Sequence, residues 1–120
     1  MNDYVFDVVF LENDLYLNRA ICQALNENGY RATSFQDWYE AVRQLRKNKT
    51  KILIFNELCY NINMMDYISF ARTNLPETKI YLSLEKDIDS FQREVYYKKK
   101  INGILVKPFS VYDIICLLNE

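Results

Sequence analysis

Apolar and polar residues alternate along this chain in blocks whose lengths and periods predict ten elements. Residues 5–11 (VFDVVFL) form a mostly apolar run closed by Glu12, Asn13 and Asp14, the pattern of a strand buried on both faces. Asp14 can N-cap a helix whose apolar positions Leu17, Ile21, Ala24 and Leu25 follow helical spacing, and Gly29 stands where a left-handed residue would end it. Residues 30–34 read as a short second strand. Ser34 and Asp37 then make an S-x-x-D capping signal for a helix that turns Trp38, Ala41, Val42 and Leu45 inward. The run KILIF at residues 51–55 is the second strongly apolar strand, and Asn56 is the first polar residue after it.

A loop over residues 57–65 leads to a helix starting near Asp66, with Ile68, Ala71 and Leu75 inward and Pro76 blocking its continuation. KIYLS at 79–83 is a fourth strand. Ile88, Phe91 and Val95 mark a fourth helix that frays through Lys98, Lys99 and Lys100, cations suited to a helix C-terminus. GILV at 103–106 is the fifth strand, and Ser110 with Asp113 is a second S-x-x-D cap, opening a helix with Val111, Ile114, Ile115 and Leu118 inward. Nothing reads as a linker, a repeat or a low-complexity stretch.

Five strands alternating with five helices predict a doubly wound α/β sandwich, because parallel neighbours need crossover helices. The commonest strand order for this count is 2-1-3-4-5, the flavodoxin-like arrangement. Such sheets carry their ligand site beyond the carboxyl ends of the strands, at the switch between the first and third. Here that directs attention to Glu12, Asn13 and Asp14, then Asn56, Ser83 and Lys107.

Composition narrows the chemistry. The 120 residues suit one domain, expected to span 1–120. Half are hydrophobic and 26% are charged, as in a folding chain. Fifteen Lys and Arg against sixteen Asp and Glu leave a net charge of -1, so no global field would hold a polyanion and nucleic-acid binding by this domain is not expected. The uncharged stretches at 52–56 and 101–106 fall far short of the roughly 18 to 20 apolar residues that span a bilayer. No signal peptide can be read at an N-terminus carrying Asp3 and Asp7, which makes the cytoplasm the expected location. There is no His, which removes histidine triads, histidine-bound zinc and imidazole proton shuttling. Cys22, Cys59 and Cys116 lack metal-ligand spacing, and the apolar surroundings of Cys22 and Cys116 predict buried thiols. Only two Gly and two Pro argue against an all-β chain.

At the strand ends the chain resembles the receiver domain of bacterial two-component response regulators, over essentially its whole length. VVFLEND is similar to that family's first strand with its acidic cluster, KILIFN to the third strand that ends in the phosphoacceptor aspartate, and YLSL to the fourth with its terminal hydroxyl. ILVKPFS is similar to the fifth strand with its Lys-Pro-Phe signature. The resemblance implies a carboxylate nucleophile after the third strand, acidic Mg²⁺ ligands after the first, and a hydroxyl and a lysine for the phosphoryl oxygens. Glu12, Ser83 and Lys107 match, and Pro108 matches a proline that follows a cis bond; Asn13 replaces the second acidic ligand and Asn56 the acceptor itself.

An amide nitrogen is no nucleophile, so an acyl phosphate cannot form at Asn56. Glu57, one residue on, should point to the opposite side of the strand. With two carboxylates gone, Glu12 is left opposite Lys107 in a nearly neutral pocket that can stand without metal, and no cofactor is expected. The resemblance also implies an aromatic switch within the fifth strand, where this chain has Ile104; the loop after the third strand is about three residues longer than usual, and Tyr67 stands where the family tends to have Gly.

The expectation is therefore a degenerate receiver that does not depend on phosphorylation, acts through protein contacts and is not an enzyme. It would sit at the N-terminal part of a longer regulator with a C-terminal output domain, or stand alone as an adaptor. The face made by the fourth helix, fifth strand and fifth helix, the usual output surface in the family, offers Phe91, Tyr96 and Tyr97 beside Lys98 to a protein partner or a second copy. The rival readings are a phosphotransfer receiver using a neighbouring carboxylate, which Asn56 opposes, and a flavin-binding module, whose phosphate Glu12 and Asp14 would repel.

Overall fold

The structure, a computed structural model, describes residues 4–12, 14–57 and 63–120. Asn13 and Cys59 lie outside the described residues. The elements alternate as β1 (Phe6–Leu11), α1 (Leu15–Glu27), β2 (Ala32–Phe35), α2 (Trp38–Lys47), β3 (Thr50–Asn56), α3 (Met64–Asn74), β4 (Lys79–Leu84), α4 (Ser90–Lys98), β5 (Gly103–Val106) and α5 (Val111–Leu118). All strand pairs are parallel and the sheet order is β2-β1-β3-β4-β5, the doubly wound flavodoxin-like arrangement expected.

Strand periodicity divides the core in two. Odd positions of β1 and β3 (Val9, Leu11, Leu53, Phe55), with Ile80, Leu82 and Leu84 of β4, face α2 and α3, which contribute Trp38, Val42, Leu45, Tyr67 and Ile68. The alternate positions Val8, Phe10, Ile52, Ile54 and Tyr81 face α1 and α5, which contribute Ile21, Leu25 and Ile114. Both faces of the central strands are thus covered, which is why β1 and β3 read as almost unbroken apolar runs.

Local boundaries depart from expectation where one side chain outcompetes another. α2 is capped by Asp37 alone, whose carboxylate accepts from the amides of Tyr39 and Glu40; Ser34 lies inside β2, paired with Phe10. α3 begins at Met64 because Asn63, not a residue near Asp66, takes the cap position and accepts from the Asp66 amide. β2 starts at Ala32, where the Asn26 side-chain amide brackets its backbone by accepting from its N–H at 2.9 Å and donating to its carbonyl at 3.3 Å. Gly29 takes the expected left-handed conformation at φ 87. Of the two described cysteines, Cys22 is half-buried and burial pushes its thiol up to about 11, whereas Cys116 is exposed, against expectation, because α5 turns Ile114 inward and Cys116 outward. No helix among the described residues is long and apolar enough to cross a membrane.

Candidate functional site

Four side chains meet at the carboxyl end of the sheet because each continues one stripe. On β1, β3, β4 and β5 the positions facing α1 and α5 end at Phe10, Ile54, Tyr81 and Leu105; two residues further on stand Glu12, Asn56, Ser83 and Lys107. The same period that buries apolar side chains therefore aims these polar ones into a common space. The β3–β4 register sets Asn56 directly beside Ser83.

Lys107 is the hub. Its Nζ lies 2.8 Å from Glu12 Oε2 and 3.1 Å from Glu85 Oε1, with the Lys107 side chain only 14% and that of Glu12 only 8% exposed. Asn56 Nδ2 donates to the other Glu12 oxygen at 2.8 Å, the orientation a carboxylate requires because it can only accept. Asn18 Nδ2 donates to the Glu12 carbonyl at 2.9 Å, fixing the backbone where β1 hands over to α1. Burial alone would lower the pKa of the Lys107 ammonium, but its hydrogen bonds to Glu12 and Glu85 outweigh burial and hold it above the ordinary lysine value. The peptide bond between Lys107 and Pro108 is cis, as the resemblance implied. Ser83 is 2% exposed, and its Oγ finds no hydrogen-bond partner among the described residues.

Glu85 is the site residue that sequence reasoning missed. Strand alternation alone puts it two residues beyond Ser83 on the same stripe, but only the β4–β5 register, continued by one residue, sets it opposite Lys107. Glu57 follows Phe55 and so points to the other face, where Tyr96 of α4 donates to its carboxylate at 3.1 Å. Burial, reinforced by the charge of Glu57, pushes the Tyr96 hydroxyl up to about 12.

A Mg²⁺ ion, which the resemblance would imply, does not fit this donor set. Both Glu12 oxygens are engaged, one by an ammonium and one by an amide, and the second carboxylate nearby, Glu85, is itself paired with Lys107, whose charge would repel a cation. No cluster of three metal-ligating side chains exists among the described residues.

The other marked positions disperse. Ile104 packs half-buried against the α2–α3 side of the core. Tyr67 is wholly buried there, its ring 5.3 Å from Trp38 and 5.4 Å from Phe55, and its hydroxyl donates to the Trp38 carbonyl at 2.9 Å. On α4, Phe91 is 73% exposed, and Tyr97 and Lys98 are also exposed. Tyr96 is instead half-buried against the core and bonded to Glu57, so it holds α4 in place and is not a clean surface residue.

No protein-family model and no curated protein sequence matches the chain. By structure it is similar to the chemotaxis protein CheY4 of Vibrio cholerae (TM-score 0.80, 17% identity, covering 93% of this chain and 94% of that one). It is similar as well to the receiver domain of the Francisella response regulator 1452 (TM-score 0.80, 19% identity, 95% and 93% covered). A response regulator from Burkholderia pseudomallei, bearing a phosphorylated aspartic acid, a calcium ion and citrate, matches at TM-score 0.79 and 15% identity over 92% of this chain, which spans 65% of its length. The chain has the response-regulator receiver fold.

Proposed function

We propose that this chain is a signal-transduction module of receiver type that works by protein contact without accepting a phosphoryl group. The observation that carries this reading is Asn56. It occupies the end of β3, where the resemblance places the acceptor, and its amide is spent on Glu12 while Lys107 is spent on Glu12 and Glu85. The cation that would steady a phosphoryl group is neutralised from within, and the neighbouring carboxylate, Glu57, lies across the strand under Tyr96. The Burkholderia relative is phosphorylated on an aspartic acid; this strand end supplies an amide instead.

On this reading the domain catalyses no reaction, acts in the cytoplasm, and delivers its output through the α4–β5–α5 face, where exposed Tyr97 adjoins Lys98; Phe91, also exposed, borders a groove with Met65 on the α3 side of α4. Such a face suits a protein partner with an apolar centre and an acidic rim. Since no phosphate gates it, the surface would be constitutively competent, and Tyr97→Ala or Lys98→Glu would weaken partner binding with the fold intact.

The test is direct. Incubating the protein with acetyl phosphate and Mg²⁺ should leave its intact mass unchanged. A stoichiometric phosphoadduct that hydroxylamine removes, as it removes acyl phosphates, would overturn the proposal.

A further inference from the structure

The chain's near-zero net charge hides two ends of opposite sign. Every strand is parallel to its neighbours, so every helix returns antiparallel to the sheet, placing all five helix N-termini at its carboxyl end and all five C-termini at its amino end. The amino end gathers cations. Arg46 and Lys47 close α2, Lys98 closes α4 and leads into Lys99 and Lys100, Lys49 and Lys51 flank the start of β3, and Lys79 begins β4. Their grouping is continuous. Arg46 and Lys49 border one groove and Lys51 and Lys79 the next, with Glu77 shared between them. Arg72 draws the α4 end alongside by donating to the carbonyls of both Lys100 and Thr78. The acidic residues described at this end are Asp7, already held by Arg31 and Lys51, Glu77, paired with Lys49 at 3.0 Å, and Glu27 and Glu120.

The carboxyl end is the reverse. Asp14, Asp37 and Asp89 cap three helices, Asp66 and Asp113 lie in the first turns of two more, and Glu85 and Asp87 follow β4. Of the cations nearby, Lys107 is paired with Glu12 and Glu85 and Arg93 with Asp87. Among these carboxylates two tyrosines stand almost fully in solvent, Tyr16 at 86% and Tyr112 at 78% exposure, in the first turns of the neighbouring helices α1 and α5.

We propose that the two ends are complementary halves of one interface: the cationic amino end of one copy docks on the anionic, tyrosine-bearing carboxyl end of a second copy, joining copies head to tail. Opposed charge steers and registers the encounter, and lysine and arginine over the exposed tyrosine rings add cation–π attraction. The contact is heterologous, so each added copy leaves both end types open and the association continues. A second copy fits better than a nucleic acid, because Glu120 interrupts the cationic end and Glu77 already holds Lys49 at 3.0 Å, which leaves fewer cations for phosphates, whereas the opposite end carries Lys86 to meet Glu120. The inference stands on surface charge alone and is independent of the reading of Asn56.

The test uses neutralised ends, so that two disabled ends are not themselves complementary. One variant carries Lys47→Gln, Lys79→Gln and Lys99→Gln; the other carries Tyr16→Ala, Asp66→Asn and Tyr112→Ala. All six positions are exposed and none is a helix N-cap; Lys99 caps the end of α4 only through its backbone N–H, which Lys99→Gln keeps, and far-UV circular dichroism checks that both variants fold. Sedimentation velocity at low salt should give the unaltered chain an average mass that climbs with concentration and returns to the monomer when the Debye length shrinks to about 3 Å near 1 M salt. Each variant alone should lose roughly tenfold or more in self-association constant. An equimolar mixture should regain association and stop at a one-to-one pair, since only one functional junction remains. Association that ignores salt, or that either variant retains alone, would overturn the proposal. So would a monomer at every concentration, including one that binds heparin or duplex DNA through the lysines, because the cationic end would then serve a polyanion.

Discussion

Replacing Lys107 with methionine removes the one cation that two carboxylates share while keeping most of its apolar stem. Glu12 would then be a carboxylate 8% exposed with its ammonium partner gone. Stripping one partner from a fully buried ion pair costs about 3–5 kcal/mol. Two features reduce that figure here: Glu12 keeps the Asn56 amide at 2.8 Å, and the pair opens toward solvent on the Glu85 side, where that carboxylate is 45% exposed. The expected loss is about 2 kcal/mol, which for a urea slope of roughly 1.5 kcal/mol/M lowers the unfolding midpoint by just over ~1 M. Glu85→Gln, which removes only the more exposed partner, should cost about 0.5 kcal/mol. Pairing Lys107→Met with Glu12→Gln should recover about 1 kcal/mol or more, because the stranded charge is then gone. The pH profile carries the sign. The folded-state pKa of Lys107 lies above its ordinary value of 10.5, so its contribution is complete below 10.5 and is lost as pH rises through the folded value. The gap between parent and Lys107→Met should therefore be flat from neutral pH up to about 10.5 and close between there and the folded value. An unchanged urea midpoint, or strict additivity in the Glu12–Lys107 cycle, would mean that Lys107 is simply solvated.

Asn56→Asp would turn the 2.8 Å hydrogen bond to Glu12 into a like-charge contact and should destabilise the fold by about 1–3 kcal/mol. Millimolar Mg²⁺ should return part of that loss, while the parent's thermal midpoint stays put; a Mg²⁺-induced rise as large in the parent would contradict the donor-set argument. Gly103→Ala should cost about 1–3 kcal/mol by overpacking, since a Cβ there would lie 2.7 and 2.9 Å from two ring carbons of the buried Tyr81. A Tyr81→Leu background should remove most of that cost, and a penalty that persists in it would point to the backbone instead.

How much of this protein the sequence determined by itself follows from the range over which each signal acts. Apolar period, capping side chains and the residues that break an element are read within a few positions, and they predicted ten elements in order and placed Glu12, Asn56, Ser83 and Lys107 at strand ends. Strand alternation even put Glu57 on the far side of β3 from that site. Where two short polar side chains competed for one helix start, as with Ser34 and Asp37, local reading could not choose, because the winner depends on whether the strand before it has ended. Only the tertiary structure decided which distant groups meet. Glu85 reaches Lys107 because β4 and β5 are neighbours in register, Tyr67 is buried because α2 and α3 close over it, and Tyr96 is drawn inward by Glu57 while Phe91, on the same helix, is left in solvent. These contacts join residues separated by twenty to forty positions, and no periodicity encodes them, since their energy comes from packing and charge pairing that exist only once the sheet has brought the segments together.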